Sequence, residues 1–373
     1  MKNYDLAVVG AGIVGMGAAL AAARKGRRVA VIERDASCVG ASIRNFGFIT
    51  VSGQRRGTHW QRAKRSRDVW AEIAPKAGIE IVHSGTTILA RRAEAVAVAD
   101  AFLRTEMGEG CRLLSANEAG ELAPILRRAR GAEILYSPHE LRVESHTAIG
   151  KLAKWLQSEM KVDFYWSTAV HEIALPWILT SRAEINADTC IVCPGHDLST
   201  LYAERLGKAQ LEICTLQMLR VTASSPPPLH AAVMSDLSLG RYDGFAELPE
   251  AAPLKARLAR EETEALAAGV HLIVVRSGDG SLVVGDSHIY GDAPKPFASD
   301  RYDMLILAEM EKVLDISGWS VSERWTGSYA SSKTDVVFTD APEEHVRIVL
   351  VTGGTGASTG FALGEEVVGS LGL

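Results

Sequence analysis

The sequence has few cysteines and little excess of charge of either sign. Its five cysteines, among 373 residues, are an odd number, and a chain of this length needs no disulfide framework to stabilise a core. Forty basic and 45 acidic side chains give a net charge of −5, which provides no electrostatic surface for nucleic acid or an anionic membrane. We therefore predict a cytoplasmic protein whose partner is a small molecule.

Aromatic residues are also scarce, at 6%, but 47% hydrophobic and 23% charged residues are typical of a folded protein. This composition excludes a disordered or collagen-like chain. The length predicts about two structural units or one elaborated α/β unit.

A long uncharged run, residues 6–23, meets the length test for a membrane-spanning helix. Glycines interrupt it at Gly10, Gly12, Gly15 and Gly17, and no cleavage or stop-transfer pattern follows. We interpret the run as a strand, a turn and a helix, and predict no membrane span.

Cys190 and Cys193 form a C-x-x-C pair in the apolar run 190–194. A strand directs residues three apart to opposite faces, so we interpret the pair as buried strand cysteines. A redox or metal pair is the alternative, and we predict no metal site.

The first glycines form a nucleotide-binding pattern, Gly10-x-Gly12-x-x-Gly15, between a predicted strand at 5–9 and a predicted helix at 11–25. The glycines permit a tight turn, close approach to a pyrophosphate and close helix packing. Glu33 follows a second predicted strand at 28–32, where a carboxylate accepts hydrogen bonds from ribose hydroxyls. The spacing predicts a dinucleotide site but does not separate FAD from NAD.

Two further segments do separate the two dinucleotides. Residues 40–47 read GASIRNFG, and residues 352–360 read TGGTGASTG before a helical tail. With these features the sequence resembles the glycine/D-amino acid oxidase (DAO) superfamily of FAD-dependent amine oxidoreductases. The resemblance implies non-covalent FAD, because the histidine and C-terminal cysteine that attach flavin in some members are missing: Ile43 and Arg44 occupy the first loop, and no cysteine follows Cys214.

The resemblance also implies the fold class. It is α/β, with a Rossmann-type, glutathione-reductase-like FAD-binding domain and a second, largely antiparallel α+β substrate domain. We predict a discontinuous FAD-binding domain of residues 1–80, 145–200 and 320–373, and a substrate domain of residues 81–144 and 201–319. Within the substrate domain, β-branched content predicts strands at 216–222, 271–276 and 281–285. The sequence SSPPP at 224–228 predicts a loop.

By the same resemblance, residues 167–173 (STAVHEI) contact the adenine through Val170, and the strand and turn at 191–195 return the chain to the cofactor. Residues 142–145 (RVES) resemble the start of a family helix, with Ser145 as its N-cap. The predicted FAD-binding residues are Gly10, Gly12, Ile13, Val14, Gly15, Glu33, Arg34, Ala41, Ser42, Arg44, Asn45, Phe46, Val170, Cys193, Pro194, Gly195, Gly353, Gly354, Thr355, Gly356, Ala357, Ser358 and Thr359.

The implied reaction is hydride transfer from a carbon that bears an amine to flavin N5, after which water hydrolyses the imine. The protein must then orient the substrate and neutralise its anionic end. The predicted catalytic or substrate-contacting residues are Arg44, Asn45, Arg142, Tyr329, Lys333 and His271, and weaker candidates on the roof of the site are Gln217, Tyr242 and His288.

Structural alternatives accompany these candidates. Arg44 could instead pair with the FAD pyrophosphate or a surface acid, Arg142 could lie at the surface, and Tyr329 could be an ordinary packed tyrosine.

Departures from the best-known relatives bear on the substrate. Ser328 and Tyr329 stand where enzymes of amino carboxylates often have arginine and proline, and Ser358, Thr359 and Gly360 stand where sarcosine-type enzymes have a lysine. The strings GASIRNFG, ELRVES, GDSHIYG and GGTGASTGFALGEE most resemble a subfamily associated with aminophosphonate degradation.

That subfamily resemblance implies oxidation of 2-aminoethylphosphonate, or its N-methyl or hydroxylated derivative, to an aldehyde, with O2 or another electron acceptor. The alternatives are a sarcosine- or glycine-type amino carboxylate oxidase, and an FAD-binding subunit of an electron-transfer or tRNA-modifying complex. Assembly as a homo-oligomer is left open.

Overall fold

The computed structural model of the protein describes residues 2–127, 131–225 and 229–373, so part of the predicted 224–228 loop lies outside the described residues. The strands in chain order are β1 (Asn3–Tyr4), β2 (Leu6–Val9), β3 (Val29–Ile32), β4 (Phe48–Ile49), β5 (Ile81–Ala90), β6 (Arg112–Leu113), β7 (Glu133–Val143), β8 (Asp163–Tyr165), β9 (Val170–Ala174), β10 (Trp177–Thr180), β11 (Glu184–Ala187), β12 (Cys190–Val192), β13 (Glu212–Ala223), β14 (Ala232–Ser235), β15 (Ile273–Arg276), β16 (Leu282–Gly285), β17 (Ile289–Gly291), β18 (Trp319–Ser331), β19 (Val337–Glu343) and β20 (Val346–Val351).

Helices connect and cover these strands. They are α1 (Ile13–Arg24), α2 (Thr58–Ile73), α3 (Ala93–Leu103), α4 (Ala116–Leu122), α5 (Ser145–Ser158), α6 (Ala203–Lys208), α7 (Leu237–Arg241), α8 (Asp243–Ala246), α9 (Ala251–Glu261), α10 (Thr263–Ala267), α11 (Asp300–Val313) and α12 (Gly356–Ser370), with short 3₁₀ helices at Ala41–Ile43 and Glu106–Gly108.

A six-stranded sheet in the order β19-β20-β12-β2-β3-β8 forms the first layer of the fold. Its strands run parallel except for β19, which pairs antiparallel with β20. Strand β3, with the sequence VAVI, is buried at every residue. Such short apolar runs are typical of parallel strands that are covered on both faces.

Helices α1 and α12 pack tightly against each other beside this sheet. The sequence of α1, IVGMGAALAAAR, is dominated by small residues, which allow two helix backbones to approach closely. A Cβ on Gly17 would overlap the carbonyl oxygen of Gly360, and a Cβ on Gly364 would overlap the backbone of Gly17. The two helices that begin at the glycine-rich turns are therefore fixed to each other.

A ten-stranded sheet forms the second large layer, in the order β17-β13-β16-β15-β14-β5-β7-β4, with β18 paired along β13 and β6 paired with β7. Every pairing in it is antiparallel except that of β14 with β5. A smaller sheet of order β1-β11-β10-β9 shares a hydrophobic core with the parallel sheet. This architecture confirms the predicted α/β fold with a second, largely antiparallel sheet.

The local predictions near the first glycines are confirmed within one or two residues at each end. The structure has β2 at Leu6–Val9, α1 at Ile13–Arg24 and β3 at Val29–Ile32. The prediction for Ser145 is wrong: α5 is capped at Glu144, and the Ser145 hydroxyl donates a hydrogen bond to the Asn45 carbonyl oxygen at 2.8 Å. That serine ties α5 to the 40–47 loop.

The predicted substrate segments, 81–144 and 201–319, supply the ten-stranded sheet apart from β4 and nearly all of β18. The domain boundaries themselves stay a prediction. None of the described helices has both the length and the apolar composition needed to cross a membrane.

All five cysteines are free thiols. Cys190 lies buried in β12 as predicted, but Cys193 lies one residue beyond the strand and lines the central cavity. Burial raises the pKa of the Cys193 thiol to about 12, which keeps it protonated at neutral pH.

Candidate active site

A cavity of about 750 Å³ lies between the parallel sheet and the ten-stranded sheet. The residues that end the parallel strands β2, β3, β12 and β20 all contribute to its wall, namely Val9, Ile32, Val192 and Val351. Ligands of open α/β sheets bind outside the carboxyl ends of the strands, and this volume is typical of a small-molecule or cofactor site.

The first glycine turn forms one end of the cavity. Gly10 has a φ of +102°, and a Cβ there would overlap the carbonyl oxygen of Cys193. A Cβ on Gly15 would overlap the carbonyl oxygen of Gly10. The glycines are thus required by close backbone packing, and they leave the N-terminus of α1 open toward the cavity, where its dipole favours an anion.

Two side chains organise this turn from outside the motif. The Ser42 hydroxyl accepts a hydrogen bond from the Ile13 N–H at 2.9 Å. The Glu33 carboxylate accepts one from the Ala11 N–H at 2.8 Å and one from the Asp35 N–H at 3.1 Å. Glu33 is therefore held at the cavity wall with its remaining acceptor capacity available to ribose hydroxyls.

The segment that precedes β9 runs beside Glu33. The Thr168 N–H donates to the Glu33 carbonyl oxygen at 2.9 Å, and the Ser167 N–H donates to the Asp35 carbonyl oxygen at 3.0 Å. This pairing places Val170 in the wall of the cavity, in the same region as the Glu33 carboxylate.

The C-terminal glycine turn lines the cavity beside the first turn, since a Cβ on Gly356 would lie 3.3 Å from the Ile13 side chain. Gly354 has a φ of +70°, and a Cβ there would lie 3.0 Å from the Tyr329 ring. The Thr50 N–H donates to Ser358 Oγ at 2.8 Å, and Trp70 Nε1 donates to the Ala357 carbonyl oxygen at 2.9 Å. These bonds anchor the N-terminus of α12 while its first N–H groups face the cavity.

His59 adds a polar contact to this turn. Its Nε2 lies 3.1 Å from Thr355 Oγ1. Burial lowers the pKa of His59 to about 4, so the imidazole is neutral at physiological pH.

The predicted FAD-binding residues all line this cavity except Thr359. Thr359 is fully buried one turn into α12, and its hydroxyl donates to the Thr355 carbonyl oxygen at 3.0 Å. Its removal from the set is a correction, because the helix turns its side chain away from the cavity. The remaining residues offer two neighbouring helix N-termini and one carboxylate, a combination that fits a dinucleotide.

The roof of the cavity comes from the ten-stranded sheet and the short helices beside it. Tyr329 on β18 faces the C-terminal turn, and burial raises its pKa well above the usual range, so the phenol stays protonated. Arg241 at the end of α7 reaches the same space, where its Nη2 donates to the Tyr290 hydroxyl at 3.2 Å.

A buried polar cluster completes the roof. Tyr242 Oη lies 3.0 Å from His271 Nε2, and the Asp286 carboxylate lies 3.6 Å from that nitrogen and 3.8 Å from His288 Nε2. The three imidazole and carboxyl side chains are each less than 10% exposed. His271, a predicted catalytic residue, is thus brought into the cavity with partners that the sequence interpretation ranked low or did not name.

The loop candidates have different environments. Asn45 holds the loop together, since its Nδ2 donates to the Ala41 carbonyl oxygen at 2.8 Å and its Oδ1 accepts from the Gly47 N–H at 2.6 Å. Arg44 is exposed and donates weakly to the Thr326 carbonyl oxygen, at 3.4 Å. Lys333 lies at the rim of the cavity, 85% exposed, and pairs with Glu212 at 2.7 Å.

The predicted substrate contact of Arg142 is wrong. It does not line the cavity, and it is not a surface residue either: its side chain is 1% exposed and pairs with Glu144 at 3.1 Å. The guanidinium lies against Gly47, directly before β4, and β4 pairs with β7 at Arg142 itself. Its charge is used within the fold, so we remove it from the substrate-binding candidates.

Sequence reasoning missed Arg241 and Asp286. Asp286 does fall in the string GDSHIYG, which contributed to the resemblance, whereas nothing local to Arg241 marks it. Both become recognisable only when the sheet places them beside His271.

Comparisons with known protein families and solved structures identify proteins with this fold. The family model described as FAD dependent oxidoreductase (DAO) matches residues 5–369. The chain therefore belongs to this family of FAD-dependent oxidoreductases, and FAD is its cofactor.

Solved structures with the same fold include several flavoenzymes. Glycine oxidase from Geobacillus kaustophilus is 19% identical with a TM-score of 0.77, covering 100% of this chain and 95% of its own. L-proline dehydrogenase from P. horikoshii is 18% identical with a TM-score of 0.79, covering 98% and 92%. Iminodiacetate oxidase from Chelativorans sp. BNC1 is 16% identical with a TM-score of 0.73, covering 98% and 95%. A search of curated proteins found no match.

Proposed function

We propose that the protein is an FAD-dependent amine oxidoreductase whose substrate is a small aminophosphonate, namely 2-aminoethylphosphonate or its N-methyl or hydroxylated derivative. The observation that carries this proposal is a pair of arginines. Arg44 and Arg241 both line the cavity, and neither has a carboxylate within 4 Å among the described residues. Two cations without acidic partners in a flavin-sized cavity favour a substrate with a strongly anionic end.

The other cations of the cavity wall are already neutralised. Arg34 pairs with Asp197 at 2.9 Å, Arg55 pairs with Asp243 at 2.9 Å and with Glu247 at 3.3 Å, and Lys333 pairs with Glu212. A phosphonate carries up to two negative charges and three acceptor oxygens, so it can use two guanidinium groups, whereas a carboxylate is satisfied by one bidentate arginine.

The amine part of the proposal rests on the family. The similar structures include, by their names, a glycine oxidase, an iminodiacetate oxidase and a proline dehydrogenase. When bound, FAD accepts a hydride from the carbon that carries the nitrogen, and water converts the resulting imine to an aldehyde and the free amine. The chain's own residues position the anionic end of the substrate.

We further propose that FAD is bound without a covalent link. Ile43 and Arg44 occupy the loop where a histidine attaches the flavin in some relatives. Two cysteines, Cys38 and Cys193, line the cavity. Burial raises the pKa of both thiols, which disfavours the thiolate.

An amino carboxylate of the sarcosine or glycine type is the second candidate, because an arginine fork that binds a phosphonate also binds a carboxylate. Ser328 and Tyr329 occupy the roof strand where enzymes of that type often have arginine and proline. Selectivity between the two anions therefore depends on whether Arg44 and Arg241 act together on one substrate.

The test compares Arg44→Ala and Arg241→Ala with Arg112→Ala, a control in which an exposed arginine outside the cavity loses its pairing with Glu118. KM is measured for 2-aminoethylphosphonate, its N-methyl form, sarcosine and glycine. We expect KM for the phosphonates to rise about 30-fold or more in both cavity variants and to stay unchanged in the control. Preference of the unmodified protein for sarcosine or glycine over every aminophosphonate would overturn the proposal.

A further inference from the structure

Asp286 is a buried carboxylate that the fold leaves incompletely satisfied. It lies between β16 and β17, lines the cavity and is 5% exposed. Its Oδ1 has no hydrogen-bond partner among the described residues. Since a buried acceptor without a donor is costly, this atom indicates a ligand that brings a donor.

The two histidines beside it present acceptors, not donors. The Nδ1 atoms of His271 and His288 lie 3.3 and 3.0 Å from the same carbonyl oxygen, that of Gly269. A carbonyl only accepts, so each Nδ1 carries the hydrogen and each Nε2 of a neutral ring presents a lone pair. Burial lowers the pKa of both rings, which keeps them neutral.

The Nε2 atoms of both histidines lie close to Asp286 on the roof of the cavity. The Nε2 atoms of His271 and His288 face the Asp286 oxygens at 3.6 and 3.8 Å, and these three ligand atoms lie within 4.8 Å of one another. The Tyr242 hydroxyl donates to His271 Nε2 at 3.0 Å. The acceptors left for a ligand are therefore the Asp286 carboxylate, whose Oδ1 has no partner among the described residues, and the Nε2 lone pair of His288.

A positive charge lies nearby without pairing with Asp286. Arg241 is near enough for its charge to lower the pKa of Asp286, although burial is the larger effect and raises it. Yet its guanidinium is directed at Tyr290, and no Arg241–Asp286 ion pair forms. The other ionisable groups that face this cluster are the Tyr242 phenol and the Cys214 thiol, which burial keeps protonated at neutral pH.

We propose that Asp286, His271 and His288 form the subsite for the substrate's ammonium group, and that the Asp286 carboxylate accepts one of its protons before oxidation. The inference rests on the proposed amine oxidation but is independent of which anion the substrate carries. An alkylammonium has three N–H donors, which match the two oxygens of the Asp286 carboxylate and the Nε2 lone pair of His288, while the His271 lone pair accepts from the Tyr242 hydroxyl. The cationic end of a zwitterion then lies at Asp286 while Arg241 meets its anionic end.

The proton transfer has a chemical reason. One N–H bond breaks with its electron pair left on nitrogen, and an O–H bond forms on Asp286. The neutral amine can then release a hydride from the adjacent carbon to FAD, since the nitrogen lone pair stabilises the developing imine, whereas an ammonium cannot do so. The two electrons leave with the hydride, and the proton passes from Asp286 to solvent.

The test uses ligand pairs that differ only at the nitrogen. Propylphosphonate replaces the ammonium of 2-aminoethylphosphonate by a methyl group, and butyrate replaces the NH of sarcosine by CH2. At pH 8.5, dissociation constants are measured for the unmodified protein, for Asp286→Asn and for Glu309→Gln. Those of the amines come from the concentration dependence of anaerobic flavin reduction, and those of the carbon isosteres come from flavin difference spectra. Glu309 is a matched control because it is a buried carboxylate, 1% exposed, that does not line the cavity.

We expect Asp286→Asn to weaken binding of the amines about 30-fold or more and to leave their carbon isosteres unchanged. Flavin reduction at pH 7 should slow by about 100-fold or more, and the acidic limb of its pH profile should move upward, toward the pKa of the free amine. Equal losses for amine and isostere, or an unmoved acidic limb, would overturn the inference.

Two further readouts keep the inference open to refutation. If Asp286→Asn does not fold, the same affinities are measured for the unmodified protein as a function of pH. The ratio of amine to isostere affinity should fall as the pH drops below about 7, where Asp286 becomes protonated. A ratio independent of pH would overturn the subsite, and so would a stoichiometric divalent metal in the purified protein that Asp286→Asn removes. Failure of the phosphonates alone contradicts the proposed substrate and leaves sarcosine and butyrate to test the subsite.

Discussion

The close contact of α1 with α12 predicts that Gly17→Ala damages both stability and FAD binding. A Cβ on Gly17 would overlap the Gly360 carbonyl oxygen and lie 3.1 Å from Phe361 Cα. These are backbone atoms, so no side chain can rotate away, and the helices must separate by about 1 Å to restore ordinary contact. Overpacking of this kind costs about 1–3 kcal/mol.

Both helices begin at glycine turns that line the cavity, so the shift reaches both turns. We expect a free energy of unfolding lower by about 2 kcal/mol and FAD affinity lower by about tenfold or more. Gly369→Ala is the matched control, because it lies in α12 with open space around it and should gain up to about 1 kcal/mol of helix propensity.

The assays are chemical denaturation of the apoprotein and fluorescence titration with FAD. Gly17→Ala protein with unmodified stability and FAD affinity would refute the close helix contact. A loss of stability without any loss of FAD affinity would refute only its connection to the cofactor turns.

Three further predictions concern buried charge and the cofactor turn. Burial raises the pKa of Asp286 to about 7, above its unfolded value, so this group favours the native state at low pH and disfavours it as the pH rises through 7. Asp286→Asn should therefore stabilise the apoprotein at pH 8 by on the order of 2–4 kcal/mol and by little at pH 4. A difference in unfolding free energy that is independent of pH would contradict this prediction. Arg142→Met should destabilise the protein, because Glu144 loses its buried partner, yet leave KM for every substrate unchanged; a change in KM would restore a substrate role. Ser42→Ala removes the acceptor of the Ile13 N–H and should weaken FAD about fivefold in a titration, whereas unchanged affinity would contradict its role in the turn.

The cofactor end of the cavity could be predicted from sequence because its determinants are local. Gly10, Gly15 and Glu33 belong to one strand, turn, helix and strand, and the backbone geometry of that unit follows from residue type. Thr359 is the predicted FAD-binding residue that does not line the cavity. Its orientation depends on the residue at which α12 begins, and the sequence pattern does not define that start to one residue.

The substrate end could not be predicted in the same way. Arg241, His271 and Asp286 come from different elements, and β-sheet register brings them together across about 45 residues of chain. Arg142 shows the reverse error: its neighbours resemble a family motif, but its burial depends on pairing of β7 with β4, nearly a hundred residues away. Charge and position in sequence do not reveal whether a fold uses an arginine internally.

The central claim is oxidation of a small aminophosphonate by bound FAD, and anaerobic reduction of the purified yellow protein tests it most directly. The flavin absorbance near ~450 nm is followed after mixing with 2-aminoethylphosphonate, its N-methyl form, sarcosine or glycine. We predict rapid bleaching by an aminophosphonate and slow or no bleaching by the carboxylates. Bleaching by sarcosine or glycine alone would contradict the phosphonate assignment while leaving the fold and the cofactor in place.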